Sequence, residues 1–87
     1  MSYSYEEMRP EVFTDNGQKM FLKIRDRAHK LLNESGTCQL GSMISGCTGD
    51  SWTMIACVDR MVELGEIKEI PNPFSGAGQH RIFVKRA

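Results

Sequence analysis

The chain has 87 residues, enough for one domain with a modest core. Hydrophobic residues make up 40% and charged residues 25%, an ordinary balance for a globular chain, and no apolar run approaches the roughly 20 residues a membrane helix needs. Eleven basic and eleven acidic side chains cancel, which excludes a simple polycation, although acids crowd the start and bases the end.

Residues 1–13 carry Pro10 and show no sustained period, so they are expected to form a flexible arm ahead of a domain over 14–87. Glu6, Glu7 and Arg9 among tyrosines do not make a secretory leader, and a cytoplasmic location follows as an expectation. Tyr3, Tyr5, Val12 and Phe13 can pack back on the domain or on a second copy.

The first predicted helix follows. Asp15 with Gln18 three residues on has the spacing of a capping box. Phe21, Ile24, Ala28, Leu31 and Leu32 gather on one face at helical period, with Lys23, Asp26 and Lys30 opposite. Gly36 suits a left-handed C-terminal cap. Residues 37–40 read as a short extended link, and 41–47 as a short second helix with Leu40, Met43, Ile44 and Cys47 as its apolar positions.

The triplet 48–50 breaks that helix. Asp50 or Ser51 then caps a third helix that ends near Leu64 and is stopped by Gly65. Its inward stripe is expected to be Met54, Ile55, Val58, Met61 and Val62, leaving Thr53, Ala56, Cys57 and Arg60 outward. Residues 67–70 and 81–85 read as the two strands of a hairpin, joined by a loop rich in proline and glycine.

Helix, short strand, helix, turn, helix, strand, loop and strand is an order that resembles the winged helix-turn-helix family. Ser45 stands where that pattern wants a small residue and Gly49, four residues later, where it wants the turn glycine. Ile55 and Val58 stand at its two inward positions, and the run 61–67 looks like the family's passage from helix to first wing strand. The resemblance implies an α+β fold of three helices with a C-terminal β-hairpin wing. It also implies duplex DNA binding by a small transcriptional regulator, with the third helix in the major groove.

On that reading Ser51, Trp52, Thr53, Ala56, Cys57 and Arg60 face the bases and nearby phosphates. His80 and Arg81 flank the wing, and Lys85 and Arg86 add contacts to the backbone. Plainer roles stand beside these. Trp52 fits a half-buried core position, Arg60 can pair with Asp59 or Glu63, and His29 fits an ordinary surface position.

No enzymatic role is expected, because the two histidines lie far apart in sequence and the cysteines lack basic neighbours. Cys38, Cys47 and Cys57 have neither disulfide nor zinc spacing, so they read as small packed thiols, and no cofactor or metal is expected. A homodimer through the arm and first helix is expected from the small size of one DNA-reading domain. The competing reading is a winged helix that docks a protein partner through the third helix, favoured by zero net charge and few lysines or arginines there.

Overall fold

A computed structural model describes residues 2–71 and 81–86. Their fold is α+β, with four helices and a three-stranded antiparallel sheet. The element order from residue 15 onward is compatible with the resemblance. The helix count is not the expected three, because the N-terminal segment is itself a helix.

That helix, α1 (Tyr5–Val12), replaces the irregular arm. Ser4 caps it by accepting from the Glu7 N–H, and Glu6 and Glu7 in the first turn suit the positive end of the helix dipole. Pro10 lies inside, at an exposed position. It removes one backbone bond from an eight-residue helix, and side-chain packing outweighs that loss. Tyr5, Met8 and Val12 follow a spacing of three and then four residues, so they share the face that meets the core. Val12 is completely buried.

The join to α2 (Asp15–Ser35) is two residues long. Thr14, and not Asp15, is the N-cap: its Oγ1 accepts from the Gly17 N–H at 3.0 Å and donates to the Glu11 carbonyl at 2.8 Å. Gln18 does not close a capping box with Asp15. Its amide reaches back to the Val12 carbonyl at 2.7 Å and ties the end of α1 to α2. Gly17 is buried at the crossing, where an added Cβ would stand 1.9 Å from the Glu11 carbonyl oxygen. Phe21, Ile24, Ala28 and Leu32 form the inward stripe of α2 as expected, and Gly36 ends it in the left-handed region at φ 78°.

Strand β1 (Thr37–Gln39) turns Cys38 inward and leads into α3 (Leu40–Ile44), which is shorter than the expected 41–47. Ser45 is already extended. Two glycines, Gly46 at φ 81° and Gly49 at φ 125°, carry the turn to α4 (Ser51–Glu63). Asp50 caps α4, accepting from the Thr53 N–H at 2.9 Å. Gly65 at φ 78° then turns the chain into β2 (Ile67–Ile70).

Strand β3 (Ile82–Lys85) lies in the middle of the sheet, in the order β1-β3-β2. The presumed extended link is therefore a third strand of the sheet. Phe83, opposite Cys38 on one side and Glu69 on the other, is fully buried and joins sheet to helices. The core runs from Val12 through Ile24, Leu40, Met43 and Met61 to Phe83.

Gly17→Ala is expected to cost about 2 kcal/mol or more, because the Cβ meets backbone and the α1–α2 join must open. A urea unfolding curve reads this as a lower midpoint, and an unchanged midpoint contradicts the closed join.

Candidate functional site

The residues expected to face DNA are spread over very different environments. Ser51 is exposed at the start of α4, while Thr53 is half-buried and its hydroxyl donates to Asp50 at 3.0 Å. Trp52 is half-buried, with its ring edge-on to Tyr3 at 6.4 Å between centroids. Ala56 and Cys57 are completely buried, so the expectation that they point outward is corrected. The inward stripe also shifts, since Ile55 and Val62 are only partly covered.

The cause is α1. Met54, Cys57, Val58 and Met61 face the core, and Trp52, Ala56, Asp59 and Glu63 occupy the opposite side of α4 at helical spacing. Side chains from Tyr3 to Phe13 lie across that opposite side. Tyr3 donates to the Asp59 carboxylate at 2.7 Å, and Tyr5 to Glu63 at 2.8 Å. The Arg9 guanidinium reaches Glu63 at 3.0 Å and stands 5.0 Å from the centre of the Phe13 ring. Helix α4 is thus packed on both sides.

The arginines of the expected DNA face are engaged internally. Arg60 pairs with Glu63 at 2.6 Å, as the plainer sequence reading allowed, and its guanidinium stands 5.0 Å from the Phe13 ring centre. Arg81 bridges two elements. It contacts Asp59 on α4 at 2.8 Å and both carboxylate oxygens of Glu69 on β2 at 2.7 and 3.1 Å. Its side chain is only 11% exposed, so where a free surface cation was expected the structure has a guanidinium paired within the chain. Lys85 is exposed and donates to Asn33 at 3.3 Å, and Arg86 is exposed at the end of the sheet. His80 lies outside the described residues.

Burial and hydrogen bonding set the ionisation of this cluster. The Tyr5 hydroxyl, followed by Arg60, holds the Glu63 carboxyl down at about 2 against the opposing effect of desolvation. Desolvation, reinforced by the bond to Glu63, pushes Tyr5 up to about 12. Tyr3 is raised further for the same first reason, with Asp59 as its acceptor. Burial pushes the Cys57 thiol up to about 12, the opposite of what a reactive thiolate needs.

Sequence reasoning missed Arg9 as a partner of Glu63 and Arg81 as a partner of Asp59. The available signal was the outer side of α4, where a tryptophan and an alanine are followed at helical spacing by two acids. A concavity of about 640 Å³ opens between the first turns of α2 and the α3–α4 turn, with Lys19, Lys23, Thr48 and Gly49 in its wall. Among the described residues no group of three or more His, Cys, Asp or Glu side chains is placed to hold a metal. No described helix is long and apolar enough to cross a membrane. Comparison with protein-family models, curated proteins and solved structures finds no match.

Two expectations follow from this cluster. Arg81→Ala leaves two carboxylates facing each other, one of them largely buried, and is expected to destabilise the fold by about 2 kcal/mol in thermal or urea unfolding. Glu63 has a folded-state value of about 2 against 4.5 ordinarily, so its contribution is complete above 4.5 and is lost as pH falls toward 2. Trp52 fluorescence, reporting α1 docking, is therefore expected to hold at neutral pH and change across that acid window.

Proposed function

We propose that this chain is a winged-helix module that docks a protein, and that its third helix in the family sense, α4, does not read a DNA groove. One observation carries the reading: the side of α4 turned away from the core is closed by α1, and its two neighbouring arginines are bound to Asp59, Glu63 and Glu69. An α-helix with side chains is about 10–12 Å across, so α1 occupies the space a groove wall would need.

Removing α1 does not restore a DNA-reading face. Ala56 would meet water, and Asp59 and Glu63 would face phosphates of the same sign. The chain's zero net charge supplies no compensating long-range attraction, and the sequence over 72–80 contains no lysine or arginine. Fold alone does not decide between the two uses of a winged helix, so the reading rests on this face.

A second reading keeps duplex DNA as partner and transcription regulation as role, but moves the contact to α2. Lys19, Lys23, Arg27 and Lys30 are exposed or nearly so along that helix, and Arg27 reaches the Ser42 carbonyl beside it. Asp26 and Glu34 interrupt the row, which weakens its pull on a phosphate backbone.

Fluorescence anisotropy with a random duplex pool, over a salt series, separates the readings. No binding at low salt is expected from folded protein, which instead co-purifies at fixed ratio with a protein, its own copy included. Tight binding whose salt slope falls by about one unit for each basic residue removed overturns the docking reading.

A further inference from the structure

The concavity beside the first turns of α2, at about 640 Å³, has the size of a small-molecule site. One wall is an open turn: α3 stops at Ile44, α4 starts at Ser51, and Gly46 and Gly49 take positive φ between them. The floor is apolar. Met20 on α2 meets Gly49 so closely that an added Cβ there would stand 2.7 Å from the Met20 methyl carbon, and the half-buried Cys47 lines the same space. Lys19 and Lys23, one turn apart on α2, stand in the facing wall. Among the described residues neither is in an ion pair, whereas Arg9, Arg25, Arg60 and Arg81 all are. Two carboxylates share the lining. Asp50 is turned to its own helix, where one oxygen accepts from both the Thr53 N–H and the Thr53 hydroxyl, and Glu11 is exposed near the end of α1.

We propose that this concavity binds a small molecule made of an apolar body and one anionic head, a carboxylate or a phosphate. The body lies over Met20 and Cys47 against the Gly49 backbone, and the head meets the ammonium groups of Lys19 and Lys23. The body gains by leaving water for the apolar floor. The head gains from two cations that no carboxylate of the chain has claimed, each on a flexible stem that can close on it. A cationic ligand fits less well, because Asp50 already serves as the cap of α4 and Glu11 is left as a single exposed acceptor. Glu11 opposes the head, so its removal acts with the opposite sign to removal of either lysine. The site stands apart from the closed outer side of α4 and does not depend on what docks there.

Fluorescence titration of the full chain with anilinonaphthalene sulfonate, an aromatic anion, and with phenylnaphthylamine, the same body without the sulfonate, reads head and body separately. The sulfonate is expected to bind saturably and about tenfold more tightly than the neutral dye. Amide NMR shifts are expected to place it at 17–23 and 47–53. Lys19→Gln and Lys23→Gln each weaken the sulfonate by about fivefold and leave the neutral dye unchanged, while Glu11→Gln tightens the sulfonate by about twofold. Lys30→Gln, exposed on the same helix beyond the concavity, changes neither. Circular dichroism checks that the variants remain folded. Displacement of the dye by naphthylacetate or by naphthyl phosphate supports the proposal and names the head. Failure of both to displace it, absence of saturable binding, shifts centred elsewhere, equal affinity for the two dyes, or indifference to both lysine variants overturns the proposal. So does displacement by inorganic phosphate at equal concentration, which would make this a bare anion site. None of these results bears on the docking reading of α4, which the DNA titration tests.

Discussion

Asp59 and Glu63 stand one turn apart on the side of α4 opposite Met54, Val58 and Met61, and neither is left to water alone. Tyr3 and Arg81 hold the first, while Tyr5, Arg9 and Arg60 hold the second. A helix with carboxylates on its outer side would ordinarily end the fold there. Here those carboxylates fasten a further helix, with Val12 and Ala56 sealed beneath it. The position of the sheet is linked to the same group, because Arg81 joins Asp59 to Glu69 at the edge strand β2.

Closure of that layer depends on a very short connection. Thr14 caps α2 and holds the Glu11 carbonyl with one hydroxyl, and Gly17 allows the Glu11 and Val12 backbone to approach without a Cβ in the way. The strength of the α1–α4 contact is therefore distributed. Exposed ion pairs such as Arg9–Glu63 contribute little alone, and the buried apolar contacts with the near-buried Arg81 bridge contribute most. The layer turns the outer side of α4 into an internal surface.

Much of the fold was legible because its signals are local. Gly36, Gly49 and Gly65 sit where the backbone enters the left-handed or a neighbouring positive-φ region, and Asp50 caps α4 through its own near neighbours. The stripe of α2 follows directly from helical period. Helix α1 was hidden by Pro10, which breaks longer helices but in this short one removes a single bond on the exposed side. The site was less legible, because a stripe calculation assigns one buried side to a helix, while α4 has two. Ala56 and Cys57 are small enough to be pressed between layers, and their size was the sign of a close approach. Arg81 looked like a wing cation because its partners, Asp59 and Glu69, lie 22 and 12 residues away in the chain.

Amide hydrogen exchange of the full chain tests the closed α1–α4 layer most directly, since it reads the order of α1 without any ligand. The amides of 8–12 that belong to α1 and carry an N–H are expected to be protected well beyond an unstructured peptide, and to lose protection together when Tyr3 and Tyr5 are replaced by phenylalanine. Exchange of those amides at the rate of a free peptide, with α2 and α4 still protected, would contradict the account: α1 would then be a loose arm, and the outer side of α4 would be open.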